Sequence, residues 1–142
     1  MKSKQLDTEK KLWNSLKQKF PRKKSHLQRI ENRVSEGMPD CYLCLDGIPI
    51  FLELKVTKSD RVRISKSQIA WNLAHSRCGG VSFILVYRPE QGDAFLFEGE
   101  KVLEIQGSRV ESLESCALLA GSLDDVACAL RPAALVSWDI QK

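Results

Sequence analysis

The nine-residue segment Ile48–Val56, reading Ile-Pro-Ile-Phe-Leu-Glu-Leu-Lys-Val, limits the folds open to this chain more than any other stretch. It is apolar enough to demand burial, and it follows the short apolar run Cys41–Leu45 across Asp46-Gly47, a strong hairpin signal, so the two runs are predicted to pair as antiparallel strands. Alternation puts Phe51, Glu53 and Lys55 on one face and Ile50, Leu52, Leu54 and Val56 on the other. A carboxylate and an ammonium in the middle of so hydrophobic a strand are partly desolvated, which is costly unless each finds a partner. Asp40, at the mouth of the first strand, can approach Glu53 across the hairpin. Two carboxylates brought that close repel, and the usual resolution is a hard divalent cation held by their oxygens.

The surrounding pattern is that of alternating helices and strands. Asp7 or Thr8 caps a helix over about residues 8–20, whose apolar face is Leu12, Trp13, Leu16 and Phe20 and which Pro21 stops. Residues 26–34 read as an extended segment ending at Gly37. Ser65 and Gln68 form a capping-box signature for a second helix ending near Gly79-Gly80. Val81–Tyr87 is nearly all apolar, as in a strand covered on both faces, and strand, helix, strand implies a crossover to a parallel neighbour. Beyond it, a hairpin of Ala94–Phe97 with Lys101–Ile105 turned at Gly99, helix from Val110 to Leu130 broken near Gly121-Ser122, and a short strand over Ala134–Ile140 are predicted. These elements fit one domain over 1–142, with a core over about 6–105 and a helical extension after it.

Charge is divided unevenly. Residues 1–66 hold 16 Lys and Arg against 8 Asp and Glu, and residues 67–142 hold 6 against 10, so a modest net +4 conceals a half suited to a polyanion. No signal-type apolar segment lies in the first twenty residues and no run approaches a membrane span, which predicts a soluble, cytoplasmic protein without membrane contact. The cysteines at 41, 44, 78, 116 and 128 are odd in number and fit a reducing compartment. Cys41 and Cys44, three apart on a strand, point to opposite faces and lack a second pair, which argues against zinc.

Pro39-Asp40 followed by Glu53-Leu54-Lys55 resembles the signature of the PD-(D/E)XK nuclease superfamily. Within it, Gly37-Met38-Pro39-Asp40, the Phe-Leu-Glu-Leu-Lys strand and Ser67-Gln68-Ile69-Ala70-Trp71 are similar to the VRR-NUC branch, related to archaeal and phage Holliday-junction resolvases, over about residues 6–88. The resemblance implies an α/β restriction-endonuclease-like core of helix, three-stranded antiparallel unit, helix and parallel strand in a mixed sheet. It also implies Mg²⁺- or Mn²⁺-dependent hydrolysis of DNA, commonly by a homodimer. Asp40 and Glu53 would hold the metal, Lys55 would orient water or neutralise developing charge, and Gln68 would contribute near the site.

The family places a further glutamate on the first helix. Glu9 shares the buried face of Leu12, Trp13 and Leu16 and is preferred to Glu31, which follows Arg29 in the extended segment. Gln68 has a second reading as an ordinary capping-box residue, and His75 reads as a surface helix residue. Arg29 and Arg33 before the site, Lys58, Arg61, Arg63 and Lys66 after it, and Lys23 and Lys24 in the basic cluster are candidate phosphate contacts, a solvated tail being the second reading of that cluster. No base-reading motif is visible, which favours binding directed by DNA structure, such as a branch or junction. The alternatives are a binding-only protein that keeps the nuclease fold, or a restriction-type nuclease. The acidic residues Glu111, Glu114, Asp124 and Asp125 read as a solvated helix surface.

Overall fold

A computed structural model of the chain describes residues 6–30 and 36–141. Helix α1 spans Glu9–Lys17, with Thr8 as its N-cap accepting from the Lys11 amide. Strands β1 (Ser25–Arg29), β2 (Cys41–Leu45) and β3 (Ile48–Val56) form an antiparallel unit, and helix α2 (Lys66–Arg77) leads to β4 (Ser82–Arg88), which lies parallel to β3. Strands β5 (Asp93–Glu98) and β6 (Leu119–Gly121) add antiparallel on the far side, giving a six-stranded mixed sheet in chain order. Helices α3 (Val102–Ile105) and α4 (Leu123–Gln141) complete the chain, with 3₁₀ turns at Gly99–Lys101 and Val110–Leu113.

Alternation along the strands divides the core into two layers. One sheet face sends Cys41, Leu43, Ile50, Leu52, Leu54, Phe83 and Leu85 against Leu12, Trp13 and Leu16 of α1 and Val126 and Leu130 of α4. The other face sends Ile84, Val86, Phe95 and Phe97 against Ile69 and Leu73 of α2, Val102 and Ile105 of α3, and Val62 and Ile64 of the loop before α2. Strand β4 is buried along its whole length, as its continuous apolar run predicts. The second layer stops short of β1 and β2. On that side His26 and Gln28 are exposed and Tyr42 and Cys44 half-buried, so this part of the sheet face carries no helix among the described residues.

Three expectations about the C-terminal third are corrected. Lys101–Ile105 is not a strand, because Val102 and Ile105 are fully buried while Leu103 is 65% exposed, a spacing of three that only a helical turn satisfies. The helix predicted over Val110–Leu130 is a 3₁₀ turn, then β6, then the start of α4. Ala134–Ile140 is the continuation of α4, because Val126, Leu130 and Ala134 recur every four residues on its buried side. Pro132, an obvious break in the sequence, lies on the exposed side of that helix. Cys128, whose carbonyl loses its donor there, is exposed as well.

The acidic residues expected on one helix surface are dispersed. Ser122 and Asp125 cap α4 reciprocally, with the Asp125 amide donating to Ser122 Oγ at 3.1 Å and the Ser122 amide donating to Asp125 Oδ2 at 3.0 Å. Asp124 pairs with Lys19, and Glu111 lies 3.6 Å from Arg88.

Candidate active site

The β2–β3 register pairs Cys41 with Leu52, which puts Asp40 opposite Glu53 and on the same sheet face. Asp40 Oδ2 accepts from the Leu54 amide at 3.1 Å, so its carboxylate is tied to the backbone just past Glu53. Ile30 donates its amide to the Asp40 carbonyl, fixing the other side of the turn. Gly37, at φ +86°, explains the Gly-Met-Pro-Asp motif physically: a Cβ there would sit 2.1 Å from the Ser67 carbonyl oxygen, so only glycine lets the turn press onto the first turn of α2. That contact brings Asp40 and Gln68 to one place.

A single amide of Gln68 serves the helix cap and touches both Glu53 and Lys55. Its Oε1 accepts from the Ser65 amide at 3.0 Å while its own backbone amide donates to Ser65 Oγ, completing the capping box. The same Oε1 accepts from Lys55 Nζ at 2.9 Å, and its Nε2 donates to Glu53 Oε1 at 2.8 Å. Lys55 Nζ is itself 3.6 Å from Glu53 Oε1. Below it Asn72, fully buried, donates to the Gln68 carbonyl and accepts from Ser82 Oγ, which locks this turn of α2 to β4.

Glu53 is 2% exposed, and its second oxygen, Oε2, is buried without any hydrogen-bond partner. Burial first, and the neighbouring Asp40 charge second, push its carboxyl from the ordinary range up to about 8, against the opposing pull of Lys55. An orphaned carboxylate oxygen beside a second carboxylate fits a hard divalent cation, which would replace repulsion with shared coordination. Asp40 and Glu53 are a pair and not a trio: among the described residues no three His, Cys, Asp or Glu side chains converge on a metal position.

Glu9 therefore does not join them. Its Oε1 accepts from the Val56 amide at 3.4 Å, and it lines a recess of about 410 Å³ shared with Lys55, Lys58, Arg61 and Arg63. Its rival Glu31 lies outside the described residues, as does Arg33. Lys58, Arg61 and Arg63 are exposed at this recess, with Val62 and Ile64 buried between and beyond them, although Arg61 also donates to the Gly107 carbonyl at 2.8 Å. Lys66 is exposed at the start of α2.

Two other basic sets lie elsewhere. Arg29 pairs in register with Cys41, so its side chain leaves the sheet on the α1 side, opposite Asp40 and Glu53, in a groove lined by Trp13, Lys17 and Arg22. Arg29 is thereby removed from the immediate site, because residues directly opposite in a ladder share a face. Lys23 and Lys24 are exposed at the start of β1, whereas Asp40 meets the chain at its end; five strand residues separate them by about 17 Å. His75 is half-buried, stacked on Trp71 at 4.5 Å, and makes no contact with the carboxylates.

Sequence reasoning passed over Arg88. It is 8% exposed and donates to Asp93 at 2.8 and 2.6 Å and to Asp60 at 2.9 Å, tying β4 and β5 to the loop that carries Lys58, Arg61 and Arg63. An arginine closing a wholly apolar strand, with an aspartate five residues on, was the available signal.

No protein-family model matches the sequence, and no curated protein matches it. Among solved structures, that of Archaeoglobus fulgidus Hjc, described as a Holliday junction resolvase from an archaeal hyperthermophile, superposes with a TM-score of 0.56 at 17% identity, covering 84% of this chain and 96% of that one. The likeness is one of fold: the chain has the restriction-endonuclease-like α/β architecture, a mixed sheet between helical layers.

Proposed function

We propose that this protein is a divalent-cation-dependent endodeoxyribonuclease that cuts branched or junction DNA, a VRR-NUC-like enzyme of the PD-(D/E)XK superfamily. The observation that carries the reading is the buried, unpartnered Glu53 Oε2 beside Asp40, on the same sheet face as Lys55 and Gln68. The fold shared with a protein described as a Holliday junction resolvase adds the branched substrate.

Asp40 and Glu53 would hold Mg²⁺ or Mn²⁺. When bound, such a cation polarises the phosphate and lowers the pKa of the attacking water. Lys55, held by Gln68 Oε1 and drawn toward Glu53, places an ammonium where charge develops on the phosphate oxygens. Gln68 fixes both Glu53 and Lys55 from one amide and is anchored by the helix cap beneath it, so the set is preorganised. Glu9 stands at the edge of the basic recess, and Lys58, Arg61 and Arg63 give it the charge to position a phosphate backbone, with Lys66 exposed at the start of α2 as a further contact.

Action on DNA in the cytoplasm is part of the proposal. Among the described residues no helix is long and apolar enough to cross a membrane. A homodimer is part of the proposal. Leu118, Leu135 and Val136 are exposed in the C-terminal third and offer apolar surface for it, whereas Leu113 and Leu123 are buried and Leu119 is half-buried. Sedimentation as a monomer at micromolar concentration would remove the dimer.

Four-way junction, flap and linear DNA incubated with Mg²⁺ test the activity beside Asp40→Ala, Glu53→Ala and Lys55→Ala. Cleavage of the junction is expected from the wild-type protein and none from the variants. Unchanged cleavage in the variants would reject the site, and tight binding with no cleavage by the wild type would favour a binding-only protein.

A further inference from the structure

The sheet face that bears Asp40 and Glu53 continues, away from the carboxylates, as a row of rings. Phe51 lies two residues before Glu53 and Tyr42 two residues after Asp40, and the two are register partners with centroids 5.7 Å apart. His26 of β1 follows Tyr42 at 6.0 Å. On the other side, Phe51 meets Trp71 at 5.3 Å and His75 at 5.2 Å, and those two rings are stacked at 4.5 Å on α2. The row crosses three strands and one helix.

A solvated face of an antiparallel unit ordinarily carries polar side chains, so aromatic rings left half-open there need a reason. Cross-strand packing accounts for Phe51, which is held between Tyr42 and α2. It does not account for the outer end, where Tyr42 is half-buried, His26 is exposed, and no described helix covers either. The charges beside the row indicate the occupant. Asp40 and Glu53 flank the middle of the row, two residues along their strands from Tyr42 and Phe51, and its β1 end is followed by Lys23 and Lys24, both exposed in the turn that enters β1. A polyanion whose flat apolar groups stack on rings, with phosphates answering lysines, matches this order.

We propose that His26, Tyr42 and Phe51, backed by Trp71 and His75, form a stacking platform for unpaired bases of the DNA strand that enters the site. This inference rests on the nuclease reading for its substrate and adds the element that would distinguish branched DNA from continuous duplex: only a strand whose bases have come apart offers its faces to the rings. It also gives Lys23 and Lys24 a role although they stand far from the carboxylates, as phosphate contacts beyond the last ring.

The test uses forked DNA with 2-aminopurine in an unpaired position and blunt duplex of the same length, both with Ca²⁺ in place of Mg²⁺. Wild type and Tyr42→Phe are expected to quench the probe on binding. Tyr42→Ala should abolish the quenching and weaken forked-DNA binding about five- to a hundredfold, with blunt-duplex binding changed less than about twofold. Quenching that persists in Tyr42→Ala, or equal weakening on both DNAs, overturns the platform. If Tyr42→Ala does not fold, His26→Ala at the exposed end carries the same comparison, and an unchanged fork preference refutes the proposal. Failure of the nuclease reading is distinct: it would appear as undiminished Mg²⁺ cleavage in Glu53→Ala, whatever the probe reports.

Discussion

Glu53→Gln should make the metal-free protein more stable while removing its activity. Glu53 is 2% exposed and faces Asp40, and its carboxyl is pushed from 4.5 up to about 8 by burial and by that neighbour. Below about pH 4.5 the folded and unfolded chains both carry it protonated, and it costs nothing. As the pH rises toward 8 the unfolded chain ionises first, so folding must take up a proton and stability falls. At pH 7 the loss is about 3 kcal/mol, and near pH 4.5 it is all but gone. Glutamine escapes it, since its carbonyl still accepts from Gln68 Nε2 and its amide can donate to Asp40. Urea unfolding in EDTA should therefore show Glu53→Gln more stable than wild type by up to about 3 kcal/mol at pH 7 and nearly equal at pH 4.5. Mg²⁺ should narrow the pH 7 gap by stabilising the wild type alone. Equal stabilities at pH 7, or a gain that does not depend on pH, would refute a strained carboxylate pair.

Gly37→Ala should cost more than Gly47→Ala: both positions have φ near +86°, but a Cβ at 37 strikes the Ser67 carbonyl, whereas at 47 nothing lies within 4 Å. Gly47→Ala is expected to lose about 1–2 kcal/mol in urea unfolding, and Gly37→Ala several more, with junction cleavage lost too. Ser65→Ala removes the cap of α2 at about 1 kcal/mol and should leave cleavage nearly intact, whereas Gln68→Ala loses the cap and, in single-turnover assays, the activity. Arg88→Met leaves Asp60 and Asp93 without their guanidinium and should lower stability by about 2 kcal/mol, read from the urea midpoint.

The local pattern of β2, β3, α2 and β4 was legible because each element carries its own signal: an Asp-Gly turn, a period of two, a capping box, an unbroken apolar run. The charged pair in β3 and its approach to Asp40 followed from alternation alone, since register in a tight hairpin is a local property. The C-terminal third was misread where local cues and burial disagreed. Lys101–Ile105 could alternate as a strand, and Pro132 looks like a stop, until the core positions of Val102, Ile105, Leu130 and Ala134 are known.

Composition and spacing thus determined an α/β chain with a carboxylate pair and a lysine on one strand face and positive charge in its first half. Only the tertiary structure decided how these meet, because the deciding contacts join segments far apart in the chain. The press of Gly37 on Ser67 makes Gln68 both a helix cap and the partner of Glu53 and Lys55. Sheet pairing sends Arg29 to the face opposite the carboxylates and holds Lys23 and Lys24 a strand's length from them. The same pairing aligns His26, Tyr42 and Phe51, which belong to three different strands and form a row only when those strands lie side by side.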